Sequence, residues 1–292
     1  MKKRFLYSVN TNGLPKQMSI SEKVKLISKT GFNGVEWGLP SKIDEVKKCI
    51  KEMMSTSEEE GLNVISFINA GPFWKKDHLE RISEIIAPTK VRQIRVSPPW
   101  VAFDYQESLH QKESANELFL RMREKIYQAV EVGKKYNMRY LLETHMGSIC
   151  ACPFVARSLI DGLNENHVGI IYDPANGIVE GGYRPRASVE FLGNYLGYIH
   201  AKNVKWFVSG QTQDRPLRTR WSWQVCSLSE GIVDYVEVFF ALKVTGWSGW
   251  ISVEEFFSEK PEEQLKAGLN FLKDCESVAP ENTSEPFLSF ND

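Results

Sequence analysis

The sequence has no apolar run that approaches the roughly 20 residues needed to span a bilayer. Its basic beginning, MKKRFLYSVNTNG, carries an apolar stretch that is too short for a secretory signal peptide. We therefore expect no contact with a membrane and a cytoplasmic location.

The sequence also lacks a surplus of positive charge. Its 36 basic and 37 acidic side chains give a formal net charge of -1. A general binder of nucleic-acid phosphates carries a basic surplus or stripe. We therefore expect no nucleic-acid partner.

Cysteine is scarce and not arranged for a structural metal site. The five cysteines are an odd number, and Cys150 and Cys152 form the only close pair, without the spacing of a zinc ribbon. This usage predicts reduced thiols in a cytoplasmic protein.

What the sequence does contain is a regular alternation of strand and helix patterns. Most strand centres lie roughly 30 residues apart, the length of one strand-plus-crossover unit. The eight strand-like runs are centred near Phe5, Val35, Val64, Ile94, Leu141, Ile170, His200 and Val253. Amphipathic helical patterns such as IDEVKKCIKEMMSTSEEEG fill the intervals.

Eight such units predict an α/β fold with a single (β/α)8 TIM barrel. We place the barrel at residues 1–276 and a loosely ordered tail at residues 277–292. A doubly wound open sheet is the alternative, but SVNTNGLPK after the first strand lacks the dinucleotide fingerprint.

Polar residues stand at the ends of the last four predicted strands, where barrels of this type have their active sites. These residues are Glu143, Asp173, His200 and Glu254. Because side chains alternate along a strand, all four point inward if Leu141, Ile171, Tyr198 and Ser252 do. Three converging carboxylates would repel one another without a cation. Oxygen-rich ligation with one nitrogen favours Mn or Mg, with Co and Zn as alternatives.

Each of these residues also has a structural interpretation. Asp173 before Pro174 is typical of a helix cap, and a lone strand histidine such as His200 is often a hydrogen-bonded core residue. Lys202 shares a face with His200 and is predicted to stabilise negative charge on a bound substrate, unless it faces solvent.

The motifs LLETHMGS, IIYDPANGIVEG, YIHAKNVKW and GWISVEEF resemble those of the xylose isomerase-like TIM barrels. That group includes sugar isomerases, ketose 3-epimerases, inosose-type dehydratases and an apurinic endonuclease. The resemblance implies that Glu143, Asp173, His200 and Glu254 are metal ligands. It also implies that Glu143 and Glu254 transfer protons. Glu254 is preferred over Glu255 because it shares a strand face with Ser252.

Several residues are candidates for contact with a sugar substrate. They are Glu36, His145, Asn176, Trp100 and Trp206. For Glu36, the alternatives to substrate contact are to support a metal ligand or to pair with Arg95 or Lys202. For the tryptophans, the alternative is ordinary packing. The long insertion after the seventh strand predicts a lid whose Arg215, Arg218 and Arg220 could meet an anion.

Departures from the family pattern leave the reaction open. Asn176 stands where ketose 3-epimerases usually have histidine, and Asn203 stands where many relatives have aspartate. With five histidines, the chain has too few for the multi-metal endonuclease site. We therefore expect a metal-dependent isomerase or epimerase acting through an enediolate. A keto-polyol dehydratase and a non-catalytic sugar-binding barrel are the alternatives. The sequence leaves open the sugar, its phosphorylation, the metal and whether the protein forms a homo-oligomer.

Overall fold

The computed structural model describes residues 4–101, 112–211, 219–256 and 260–281. Eight parallel strands close into a barrel in the order β1-β10-β7-β6-β5-β4-β3-β2, as predicted. The barrel strands are β1 (Phe5–Asn10), β2 (Gly34–Gly38), β3 (Asn63–Ile68), β4 (Gln93–Arg95), β5 (Arg139–Glu143), β6 (Val168–Tyr172), β7 (Leu196–Ala201) and β10 (Gly249–Val253). The fold is therefore a single (β/α)8 TIM barrel.

Nine α-helices are found in the described ranges, most of them around the barrel. They are α1 (Ile20–Lys29), α2 (Ile43–Glu59), α3 (Lys76–Ile86), α4 (Ala115–Tyr136), α5 (Pro153–Ile160), α6 (Pro174–Val179), α7 (Pro185–Leu192), α8 (Tyr235–Val244) and α9 (Pro261–Val278). None of the helices in the part of the chain that the structure describes is long and apolar enough to cross a membrane.

Local sequence explains where these helices begin and end. Ser19 and Glu22 form a capping box at the start of α1, and the chain leaves this helix through Gly31, whose φ of +90° suits glycine. Helix α8 begins within the sequence GIVDYVEVFFALKVTG. The helix starts at Tyr235 because the Asp234 side chain accepts hydrogen bonds from the amides of Val236 and Glu237.

The insertion after β7 contains two further strands. β8 (Asn203–Gln211) and β9 (Thr219–Cys226) pair in antiparallel fashion and belong to no other sheet of the described chain. We call this hairpin the ribbon. Because β7 ends at Ala201, the ribbon starts at the carboxyl end of the barrel, on the side of the predicted site. Arg220 lies in β9, whereas Arg215 and Arg218 lie outside the described residues.

The carboxyl-terminal helix runs slightly further than predicted. Helix α9 continues to Val278, and the predicted tail beyond residue 281 lies outside the described residues. All five cysteines are free thiols.

Candidate metal centre

Four side chains from four neighbouring strands meet at the carboxyl end of the barrel. Glu143 ends β5, Asp173 follows β6, His200 lies in β7 and Glu254 follows β10. One ligand atom from each lies within 4.8 Å of the other three, and all four residues are buried. Parallel register produces this meeting, because Glu143 pairs with Ile171 and Ser252 pairs with His200 in neighbouring strands. The structure thus brings together the four residues at which the sequence predicts a metal.

His200 is fixed by carboxylates on both ring nitrogens. Its Nε2 lies 3.0 Å from Glu36 Oε2, while its Nδ1 lies 2.9 Å from Glu143 Oε1 and 3.4 Å from Glu254 Oε2. Glu36 is fully buried and also accepts hydrogen bonds from the hydroxyls of Tyr198 and Ser252. When His200 is neutral with its proton on Nε2, it donates to Glu36 and leaves Nδ1 free to bind a cation.

Asp173 caps helix α6 and also belongs to the cluster. Its Oδ1 accepts hydrogen bonds from the amides of Ala175 and Asn176 at the start of α6, which leaves Oδ2 facing the other carboxylates. The Asn176 side chain donates to Asp173 Oδ2 at 2.8 Å and to Glu143 Oε1 at 3.3 Å. Asn176 therefore joins two of the four residues, and its own Oδ1 is buried without a hydrogen-bond partner among the residues that the structure describes.

Lys202 faces the cluster instead of solvent. It is 3% exposed, and its Nζ lies 2.8 Å from Asp173 Oδ2 and 3.2 Å from Glu254 Oε2. The Tyr235 hydroxyl donates to the Lys202 carbonyl and so fixes the backbone at this point. The other oxygen of Glu254, Oε1, accepts from the Asn10 amide at 2.9 Å.

Arg95, at the end of β4, forms a buried ion pair with Glu143 Oε2. Burial opposes ionisation of Glu143, but Arg95 and His200 hold its pKa well below the ordinary value. Similarly, burial opposes ionisation of Glu254, but Lys202 and His200 lower its pKa to about 2. Both carboxylates are therefore ionised at neutral pH.

The carboxylates of the cluster also shift the pKa values of His200 and Asp173. Burial disfavours protonated His200, yet Glu36, Glu254 and Glu143 raise its pKa well above the ordinary value. The pKa of Asp173 is raised by burial, lowered by Lys202, and raised again by Glu143 and Glu254, so that it ends above its ordinary value. The four buried carboxylates of Glu36, Glu143, Asp173 and Glu254 therefore face Arg95, Lys202 and a His200 whose raised pKa favours the protonated form.

When a divalent ion replaces the proton of His200 and all four carboxylates are ionised, Arg95 and Lys202 leave two negative charges, which that ion would neutralise. The donor set fits such an ion, since it offers carboxylate oxygens and one imidazole nitrogen from a rigid sheet.

Glu255, the neighbour of Glu254, points away from this cluster. Its Oε1 accepts from the Leu228 amide at 2.8 Å, and its Oε2 lies against α9 near Gly268. Burial raises the pKa of Glu255 to about 7, although the Leu228 hydrogen bond lowers it. The alternation of side chains along the strand therefore separates two adjacent glutamates into different environments.

The other predicted substrate contacts fall into two groups. His145 and Trp100 lie together, with their rings edge to face and 5.0 Å apart, and His145 Nδ1 lies 2.8 Å from the Met146 carbonyl. This hydrogen bond places the proton on Nδ1 and makes Nε2 an acceptor in neutral His145. Trp206, in contrast, lies in the ribbon opposite Trp223.

Asn10 and Arg95 also belong to the cluster, although the sequence pattern indicates no role for Asn10 and only a possible pairing with Glu36 for Arg95. Both stand at the carboxyl ends of barrel strands, β1 and β4. This strand-end position is the same signal that indicates the four candidate ligands. Tyr198 and Ser252 lie one step deeper in the barrel and give no comparable signal.

The sequence matches the family model described as xylose isomerase-like TIM barrel over residues 24–275. Curated proteins offer no significant match. Solved structures with this fold include a 3-keto-D-glucoside 4-epimerase from E. coli, which is 19% identical with a TM-score of 0.69. The alignment covers 93% of this chain and all of the epimerase.

Two other similar structures carry different descriptions. A probable 3-DHS dehydratase from Bacillus anthracis is 19% identical over 92% of this chain and 98% of its own, with a TM-score of 0.68. A protein named IOLI, solved with a bound zinc atom, is 17% identical over 94% and 99% of the two chains, with a TM-score of 0.72. At these identities the similarity establishes the fold and not the reaction.

Proposed function

Because this chain belongs to the xylose isomerase-like TIM barrel family, we propose that it is a divalent-metal-dependent isomerase or epimerase of a small sugar or sugar derivative. The observation that carries the proposal is the buried cluster of Glu143, Asp173, His200 and Glu254, whose ligand atoms lie within 4.8 Å of one another. Similar structures described as an epimerase and as a zinc-containing protein support it. Mn or Mg suits the oxygen-rich donor set best, with Co and Zn as alternatives.

The proposed reaction removes and returns a proton at the carbon next to a carbonyl. A divalent ion at this site would polarise the carbonyl and a neighbouring hydroxyl, and so favour the enediolate. Glu143 and Glu254 are the proposed proton-transfer carboxylates. Both are ionised at neutral pH, because Arg95, His200 and Lys202 lower their pKa values. Each can therefore act as a base.

Lys202 is the proposed third catalytic group. Its ammonium lies against Asp173 and Glu254, so a substrate oxygen near Glu254 is within its reach. A positive charge there stabilises negative charge that develops on the substrate. Burial disfavours protonated Lys202, but Asp173 and Glu254 raise its pKa above the ordinary value, so it keeps its charge.

Substrate hydroxyls are proposed to meet His145 and Asn176. Neutral His145 offers an acceptor at Nε2, and Asn176 offers its unpartnered Oδ1. Trp100, in contact with His145, is 44% exposed and offers an aromatic face to a sugar ring. Glu36 is better suited to hold His200 than to touch substrate, since its carboxylate is already bonded to His200, Tyr198 and Ser252.

The proposal is tested first by metal content and then by hydrogen exchange. Protein purified without chelator should carry close to one divalent ion per chain, and His200→Ala should lose it. The metal-loaded protein should then be screened in heavy water against ketoses, inososes and their phosphates. Incorporation of deuterium with no change in substrate mass beyond the exchanged hydrogen supports isomerisation or epimerisation. Full metal occupancy in a variant lacking both Asp173 and His200 would exclude this site.

The two adjacent glutamates provide a matched pair of variants. Glu254→Gln should lower turnover about 100- to 10,000-fold, the usual effect of removing a general acid or base. Glu255→Gln should leave turnover nearly unchanged, because Glu255 contacts Leu228 outside the cluster. The opposite result, an inactive Glu255→Gln and an active Glu254→Gln, would move the chemistry to the other residue.

A keto-polyol dehydratase is the second candidate, supported by the similar structure described as a probable dehydratase. It would form the same enediolate but expel a neighbouring hydroxyl as water. Its product would absorb in the ultraviolet and weigh one water less than the substrate. A non-catalytic sugar-binding barrel is distinguished from both by the lack of any deuterium exchange.

A further inference from the structure

The ribbon has one apolar face and one mainly polar face. In an antiparallel pair, directly opposed residues point to the same side. The opposed pairs Val204–Val225, Trp206–Trp223 and Val208–Trp221 therefore share one side. We call it the tryptophan face. The pairs Asn203–Cys226, Lys205–Gln224 and Phe207–Ser222 lie on the other side.

The tryptophan face begins in the protein core and continues outward into solvent. Val204 is fully buried and Val225 packs against the core. Further along, Trp206 and Trp223 are each 36% exposed, Val208 is 56% exposed and Trp221 is 59% exposed. A sheet with one apolar and one polar face is typical of strands that pack on another surface. In the described ranges nothing covers the outer part of this face.

A two-stranded hairpin without a packing partner is only marginally stable in water. The exposed area of the tryptophan face can be compared with the area of protein–protein interfaces. If a buried tryptophan covers up to ~250 Å² and Val208 is added, these four side chains expose about 300–400 Å² on each chain. Two such faces in contact would bury roughly 600–800 Å², about half of a standard protein–protein interface, which fits a weak dimer that dissociates on dilution.

We propose that the tryptophan face is a dimer interface, on which the same face of a second copy of this chain packs about a twofold axis. A twofold interface uses one patch twice, so the patch must be self-complementary. This face meets that condition because its paired positions carry only apolar side chains. Lys205 points to the opposite side and lies 3.6 Å from Glu230, so two copies would not bring like charges together.

The chemistry of the face favours a protein surface over a carbohydrate. A sugar platform needs polar side chains beside its aromatic rings to bond the sugar hydroxyls, and none of the opposed pairs on this face supplies one. The proposal reassigns Trp206 from substrate contact to the interface. It does not depend on the proposed reaction.

The test compares neighbouring residues on opposite faces of the full-length chain. Analytical ultracentrifugation should find a dimer at micromolar concentrations. The double variant Val208→Ser/Trp221→Ser should weaken dimerisation at least about 30-fold, since loss of a central aromatic anchor costs this much or more. Phe207→Ser removes a side chain that is 40% exposed on the other face and should leave the dimerisation constant unchanged.

Three outcomes would overturn the proposal. The first is a wild-type protein that remains monomeric at about 100 µM, and quenching of its tryptophan fluorescence by free sugars would then favour a carbohydrate platform. The second is a dimer that persists in Val208→Ser/Trp221→Ser. The third is equal dissociation by Phe207→Ser. Circular dichroism verifies that each variant is folded.

A measurement on the wild-type protein alone tests the proposal without relying on the folding of any variant. Amide hydrogen exchange in β8 and β9 should slow as protein concentration rises through the dimerisation constant, while exchange in the barrel strands stays constant. Exchange in the ribbon that is independent of concentration would contradict the dimer interface.

Discussion

Two layers of side chains inside the barrel differ in chemistry although the same strands supply them. The deeper layer holds Ile65, Leu141, Ile171 and Tyr198, which form a buried cluster of their own. Two residues further along β5, β6 and β7 stand Glu143, Asp173 and His200. The strand period of two therefore places an apolar floor directly beneath a layer of charges.

The charged upper layer needs many ion-pair and hydrogen-bond partners. The floor excludes water from below, so each charge above it is costly unless it is paired or hydrogen-bonded. Arg95 and Lys202 supply the positive charges, and Asn10 and Asn176 supply amide donors. Tyr198 belongs to both layers, since its ring lies in the floor and its hydroxyl donates to Glu36.

The largest effect is expected from breaking the floor. Leu141 packs closely against Gly169 and Gly197, so closely that a methyl group added at either glycine would meet its side chain at 2.8–3.0 Å. Leu141→Ala should therefore leave a cavity that backbone cannot easily fill, and lower the free energy of unfolding by about 2–5 kcal/mol in urea denaturation. Leu120→Ala, at a position 58% exposed on α4, should change it by less than about 0.5 kcal/mol. Equal effects would show that the floor is not specifically packed.

A smaller effect is expected where the two layers join, at Glu36. Glu36→Gln removes the negative charge that orients His200 and raises the basicity of its ring. Metal affinity, measured by competition with a chelator, should fall about 10- to 100-fold. Tyr198→Phe keeps the Glu36–His200 contact and should have a smaller effect. Unchanged metal binding in Glu36→Gln would argue that Glu36 does not position His200.

The smallest effect is expected at Lys202, within the upper layer. Lys202→Met should keep the metal, because the carboxylates of Asp173 and Glu254 then lose a competing cation. Deuterium exchange into the true substrate should slow at least about tenfold, equivalent to roughly 1.4 kcal/mol of transition-state stabilisation. Lys205→Met, in the ribbon beside the exposed Glu230, serves as the control and should behave as wild type. Unchanged exchange in Lys202→Met would remove this lysine from the active site.

Much of the barrel could be predicted from the sequence, because its signals are local. Branched and aromatic runs alternate with amphipathic helices, and the eight predicted strand centres all fall in or beside barrel strands. The convergence of Glu143, Asp173, His200 and Glu254 also followed from local facts, namely strand direction and side-chain alternation. The ribbon is harder to predict, because the insertion after β7 predicts only a lid, and the pairing of β8 with β9 depends on their register.

The sequence by itself determined the strand-and-helix order, the barrel and the strand-end positions of the four candidate ligands, because these depend on periodicity within single elements. Only the tertiary structure decided the partners. It paired Lys202 with Asp173 and Glu254, Arg95 with Glu143, and Glu36 with His200. The sequence could not distinguish these pairings, because long side chains from several strands can reach one another. Which contacts form depends on the stagger and closure of the whole barrel.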